Sequence, residues 1–112
     1  MNTDFFKEFQ GAVTICDETA IILYMNEKSI KTFESYGGAA LIGKSLFDCH
    51  GEESRNKLME LLLEKKTNVY TIEKNGVKKM IYQAPWYQDG NCMGLVELSL
   101  ELPAEMPHFV RK

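Results

Sequence analysis

Residues 69–74 read VYTIEK, Asn75-Gly76 follows, VKKMIYQAPWYQ occupies 77–88, Asp89-Gly90 follows, and NCMGLVELSLE fills 91–101. Three β-rich runs are separated by the two dipeptides that best suit tight hairpin turns. Both turns need positive φ at their centre, which Gly adopts freely and Asn or Asp tolerates better than most residues. Residues 68–101 are therefore predicted to form three consecutive antiparallel strands. With two-residue loops, Lys74 pairs with Val77 and Gln88 with Asn91, and alternation outward from those pairs sorts the side chains into two faces. One face gathers Tyr70, Ile72, Ile81, Gln83, Val96, Leu98 and Leu100. The other gathers Val69, Thr71, Met80, Tyr82, Ala84, Trp86, Met93 and Leu95. Both are largely apolar, so the sheet is expected to need a cover on each side.

The rest of the chain offers the covers. The best helix is 52–66: Glu52 and Glu53 suit the positive end of a helix dipole, Lys65 and Lys66 the negative end, and Leu58, Met59, Leu61, Leu62 and Leu63 form a broad apolar stripe. Upstream, AVTIC (12–16) and AIILYM (20–25) flank a turn-like Asp17-Glu18-Thr19 and read as a second hairpin. Asn26 then stands as an N-cap before a short helix carrying Ile30 and Phe33, which Gly37-Gly38 stops. Residues 40–47, ALIGKSLF, are apolar and broken by Gly43. At the start of the chain, Phe5, Phe6 and Phe9 fall on one stripe if residues 1–10 form a capping helix. At the other end, Pro103 and Pro107 disfavour regular structure, and 103–112 is expected to be an extended tail.

Composition excludes several functions. The chain has 112 residues, enough for one domain with a core of its own. A net charge of −3 argues against a dedicated nucleic-acid surface, which carries a basic patch. Cys16, Cys49 and Cys92 are odd in number and lack CxxC spacing, so neither a disulfide framework nor a zinc knuckle is expected. No leader-like segment opens the chain and no apolar run is long enough to span a bilayer. Reduced thiols in the cytoplasm are the expectation. No phosphate loop, zinc-protease motif or serine elbow occurs, and no nucleophile, base and orienting group are spaced together. His108 in the tail has no assignable role.

The order of elements, together with GAVTICDETAIILYMNEKSIKTF and ALIGKSLFDCHGEESRNKLMELL, resembles a PAS domain. Asn26 matches the family's strand-ending Asn before a helix, while Gly43 and His50 match the glycine after two aliphatics and the His-containing loop before the long helix. The resemblance covers roughly residues 10–101 and defines the expected domain as 11–102. It implies an α+β fold: a five-stranded antiparallel sheet of order 2-1-5-4-3, with short helices and one longer helix enclosing a pocket on one face. The other face would meet a short N-terminal helix or a second subunit.

On that basis Gln83, Tyr70, Ile81, Leu98, Phe33 and His50 are the pocket candidates. Gln83 leads because a buried amide needs hydrogen-bond partners, which a ligand can supply. Phe5, Phe6, Phe9, Trp86, Met93 and Leu95 are the candidates for the covered or dimeric face. The expected function is a stand-alone, non-catalytic sensory or interaction module, homodimeric, binding a small molecule or a partner protein in signal transduction. Two alternatives accompany it. Haem is a cargo of some PAS domains, and His50, beside Cys49, would be its axial ligand. Flavin photochemistry is not expected, because Asp48-Cys49-His50 does not resemble the Asn-Cys-Arg-Phe-Leu-Gln signature. The other alternative, a small isomerase with helices closing a cone over the sheet, needs a pocket acid, whereas the expected pocket face offers Gln83.

Overall fold

The computed structural model describes residues 4–49 and 51–112. Its sheet has five antiparallel strands: β1 (Ala12–Asp17), β2 (Ile22–Met25), β3 (Asn68–Lys74), β4 (Val77–Gln88) and β5 (Asn91–Leu102), in the order β2-β1-β5-β4-β3. Two α-helices, α1 (Glu27–Thr32) and α2 (Glu52–Glu64), join short 3₁₀ turns at Glu34–Tyr36, Gly38–Leu41 and Leu46–Cys49.

Local chemistry accounts for the connections. Asp17 Oδ1 accepts from the N–H of Thr19 (2.8 Å) and of Ile21 (3.0 Å) and from the Thr19 hydroxyl (2.7 Å), an Asx-type turn that folds β1 back toward β2. Asn75-Gly76 and Asp89-Gly90 all carry positive φ, as two-residue hairpin loops require. The α2 helix closes on Lys65 in the left-handed region, its N–H bonded to Leu61 O.

Asn26 is the most heavily bonded side chain of the junction. It ends β2, caps α1, and is 1% exposed. Its Oδ1 accepts from Val13 N (2.9 Å) and Ser29 N (3.0 Å), while Nδ2 donates to the carbonyls of Phe6 and Gly11, each at 2.8 Å. One amide thereby ties together β1, α1 and the N-terminal segment.

That N-terminal segment is a correction to the expected helix. Residues 5–8 form successive turns, with Phe9 N bonded to Phe6 O at 3.2 Å. The carbonyls a helix would use internally are taken elsewhere: Phe6 O by Asn26 Nδ2 and Lys7 O by Glu27 N. A single turn of helix fixes many dihedrals for few bonds, so these outside partners win. Phe6 and Phe9 meet edge to face at 5.9 Å, and Phe5 is 77% exposed. The Phe9 ring and Leu100 crowd so closely about Gly11 that a Cβ there would sit 2.4 Å from Leu100. The segment therefore lies at the Leu100 end of β5 and does not reach over Trp86 and Met93, roughly six residues or 20 Å away along the strand.

A second correction concerns register. The β3–β4 hairpin pairs Lys74 with Val77 as expected, and Gln88 pairs with Asn91. Between Trp86 and Tyr87 the β4–β5 ladder then shifts: Tyr87 pairs with Cys92 but Trp86 pairs with Gly94, leaving Met93 as an extra residue. A β-bulge of this kind moves every later side chain of the strand to the other face. Leu95, Glu97 and Ser99 turn toward the helices, and Val96, Leu98 and Leu100 turn away.

Most of the core sits under the helix-covered side of the sheet, with Val13 also fully buried on the outer face. Cys16, Ala20 and Leu95 pack with Leu58 and Leu61 of α2, and Ile22 and Met25 pack with Leu41. Burial of these side chains against β2, β1 and β5 contributes on the order of 2 kcal/mol for each large aliphatic. By contrast, β3 is exposed along all but its first residue.

Candidate functional site

The helices leave a cavity of about 530 Å³ over the inner face of the sheet, within the roughly 300–1,000 Å³ usual for small-molecule sites. Apolar side chains form most of it, including Ile22, Leu95 and Ile81 from the sheet and Phe33, Leu58 and Leu61 from the helices. Tyr70 and Ile72 on exposed β3 flank its open side.

One rung of the sheet crosses this apolar surface as a polar row. Asn68, Gln83, Glu97 and Thr14 are successive cross-strand partners on β3, β4, β5 and β1. Asn68 Nδ2 donates to Gln83 Oε1 (2.9 Å), and Gln83 Nε2 donates to Glu97 Oε1 (2.8 Å). Thr14 and Ser29 share a hydroxyl–hydroxyl hydrogen bond, so the far end of the row reaches α1. All four members of the row line the cavity. The neighbouring rungs are less polar: Cys16 pairs with Leu95 on one side, and Ile81 stands between Tyr70 and Ser99 on the other.

Electrostatics follow from this layout. Burial raises the Tyr70 phenol above its ordinary range and the Glu97 charge pushes it the same way. Burial also raises the Cys16 thiol, partly offset by the Leu95 backbone, with Asp17 and Glu97 adding to the rise. Cys16 is therefore held as a protonated core thiol, the inert kind of cysteine.

The expected site residues divide. Gln83, Tyr70, Ile81 and Phe33 line the cavity. Leu98 does not: it pairs with Val13 and Tyr82 on the outer face, because the bulge reverses the strand beyond it. Leu95 makes the converse change, from expected outer face to 5% exposed core. His50 lies outside the described residues. Among the described residues, no group of three or more His, Cys, Asp or Glu side chains could hold a metal ion. Trp86 is half-buried on the outer face, its indole N–H reaching across β5 to Cys16 O at 3.0 Å, and Met93 is exposed in the bulge. With Phe5, Phe6 and Phe9 at the other end, the middle of the outer face, around Tyr82, keeps apolar surface open.

Glu97 was the residue hidden from sequence reasoning. It supplies the pocket acid whose expected absence weighed against an isomerase-like reading, so that objection does not stand. The signal lay in Gly94, an isolated glycine inside a strand pattern, which marks a bulge or a close backbone approach. Its φ is +147, and a Cβ there would sit 2.0 Å from Cys16 O.

Comparison with known proteins places this architecture. No protein-family model and no curated sequence matches the chain. Solved structures do. A PAS domain of an HTR-like protein from Haloarcula marismortui superposes with TM-score 0.59 at 11% identity, over 87% of this chain and 90% of that one. A sensory box sensor histidine kinase from Vibrio cholerae gives 0.60 at 16% identity, over 85% and 84%. The Aer2 receptor of Vibrio cholerae, described as a dual PAS-heme oxygen sensor, gives 0.59 at 14% identity, over 83% and 95%. With a β2-β1-β5-β4-β3 sheet, helices gathered over one of its faces and these superpositions, this chain has the PAS fold.

Proposed function

We propose that this chain is a non-catalytic sensory module that binds a small molecule in the cavity over β4 and β5 and pairs with a second copy through its outer face. The cavity carries the reading: it is apolar, of ligand size, and crossed by a row of amides and a carboxylate that a structural core has no need to contain. The sensory receptors and kinases whose PAS domains share this architecture agree with it. A ligand that binds two packings of the sheet unequally shifts the balance between them, and the half-open outer face is where a second subunit would register that shift. Free Cys16 and Cys92 fit a reducing, cytoplasmic setting, and no helix of the described residues is long and apolar enough to cross a membrane.

Native mass spectrometry of protein purified from its own host tests both halves together. The expected spectrum shows a dimer carrying a small-molecule mass, lost in a Gln83→Leu variant that stays folded. A spectrum of bare monomer across concentrations would overturn the reading.

A further inference from the structure

We propose that the free edge of β3 docks a second copy of this chain, the two β3 strands pairing antiparallel about a two-fold axis at Thr71 and joining two sheets into one. This contact is separate from the outer-face pairing above and goes beyond it. The two edges of the sheet differ. Beside β2 the edge is occupied by residues 43–45: Ile22 N donates to Lys44 O (3.0 Å), Gly43 N donates to Ile22 O (2.8 Å), and Ile21 bridges to Ser45. That strand is also only four residues long, and its ladder with β1 is irregular. An edge so blunted does not recruit another strand. At the opposite edge β3 runs for seven residues, pairs with β4 without a register shift, contains no proline and is exposed along all but its first residue. It is the last strand in the order, and among the described residues it pairs with β4 alone.

The hairpin decides which backbone groups that edge offers. A two-residue loop makes Lys74 and Val77 a hydrogen-bonded pair, and bonded and non-bonded pairs alternate along an antiparallel ladder. Tyr70, Ile72 and Lys74 therefore commit their N–H and C=O groups to β4, while those of Val69, Thr71 and Glu73 point to the open edge. Two copies related by an axis normal to the sheet set one residue opposite itself and exchange all other pairs reciprocally. With Thr71 on the axis, Val69 of each copy meets Glu73 of the other, and about six backbone hydrogen bonds form. Tyr70 of each copy meets Ile72 of the other, an aromatic and β-branched pair of the kind that stabilises sheets. Like charges stay apart, since Glu73 faces Val69 and Lys74 faces Asn68. Moving the axis to Tyr70 would set Lys66 against Lys74, and moving it to Ile72 would run Val69 into the turn residue Asn75. Tyr70 and Ile72 also flank the open side of the cavity, so each copy extends the other's cavity floor where β3 leaves it bare.

Amide hydrogen exchange of the full chain, followed by NMR at rising protein concentration, tests the contact. A single edge strand buries less than the ~800 Å² per partner of a standard interface, so a dissociation constant of about 100 µM is expected. Exchange at Val69, Thr71 and Glu73 should then slow about fourfold between roughly 10 µM and 1 mM. Thr71→Pro removes an N–H that β4 does not use, and should leave the hairpin folded while abolishing the concentration dependence at Val69 and Glu73. Thr71→Lys and Thr71→Glu each set like charges opposite one another at the axis; each alone should lose the slowing and an equimolar mixture should regain it. Tyr82→Lys, aimed at the outer face, should leave the slowing in place, which separates failure of that pairing from failure of this one. Edge amides that exchange at one rate across all concentrations would overturn the second copy as the occupant. Slowing that persists in folded Thr71→Pro, or a mixture of the charged variants that behaves like each alone, would overturn the Thr71-centred pairing.

Discussion

Replacing Asn26 with Ala removes four hydrogen bonds at once, to Val13 N, Ser29 N, Phe6 O and Gly11 O. Val13 and Ser29 are fully buried, so both N–H groups would be left without an acceptor and without water. Each orphaned buried donor costs about 1–3 kcal/mol, and part of the Ser29 cost is the N-cap itself, usually about 1 kcal/mol. Carbonyls bear isolation better than N–H groups, so Phe6 O and Gly11 O add less. The expected loss is about 4 kcal/mol, a large share of the ~5–15 kcal/mol that holds an ordinary domain together. Urea unfolding reads it directly: with a slope of about 2 kcal/mol per molar, the midpoint falls by roughly 2 M. Asn26→Asp dissects the effect, because it keeps both acceptor bonds while setting a carboxylate oxygen against the Phe6 and Gly11 carbonyls. Its loss should appear first as faster hydrogen exchange at Glu27 N–H, which is bonded to Lys7 O in the segment that Asn26 holds. A loss below about 1 kcal/mol for Asn26→Ala, at unchanged slope, would refute the claim that the four bonds act together.

Three further outcomes are expected. Gly94→Ala drives a Cβ into the Cys16 carbonyl and should cost roughly 3 kcal/mol, whereas Gly90→Ala, with open space around it, should cost about 1 kcal/mol; equal losses in thermal or urea unfolding would contradict the close approach. Burial and the hydrogen bond to Asp4 raise the Tyr24 phenol to about 12, so the stability it contributes is complete below pH 10 and disappears as pH rises toward 12. Ultraviolet titration should find Tyr24 and Tyr70 ionising late, and one of those two steps earlier in Asp4→Asn; no change in that variant would remove Asp4 as a cause. If the outer face carries the proposed pairing with a second copy, Tyr82→Lys should shift light-scattering mass from dimer toward monomer, and an undisturbed dimer would place the subunit contact elsewhere.

How far the sequence disclosed this molecule depended on whether information was local. Asn75-Gly76 and Asp89-Gly90 place their hairpins because positive φ is a property of those residues themselves. Asn26 is legible for the same reason: a cap acts within three residues of its own position. The bulge at Met93 is different. It arises from the meeting of β5 with β4 and β1 around Gly94, and one uncounted residue was enough to exchange Leu95 and Glu97 with Leu98 between faces. Gln83, Tyr70 and Ile81, upstream of that irregularity, stand on the face their alternation assigns. The N-terminal turns were missed for a related reason, since the partners that capture the Phe6 and Lys7 carbonyls lie twenty residues along the chain.

The uneven cover of the sheet has a consequence for local opening. Strands β2, β1 and β5 rest on a packed layer, while β3 is held by its ladder to β4 and little else. Segments with few apolar contacts and exposed hydrogen bonds open at a fraction of the global unfolding energy. The amides of β3 should therefore exchange soonest among the five strands, and anything that fills the cavity beside Tyr70 and Ile72 lowers that rate through mass action on the closed form. Occupancy would be written as the lifetime of one edge strand, with no movement of the core required.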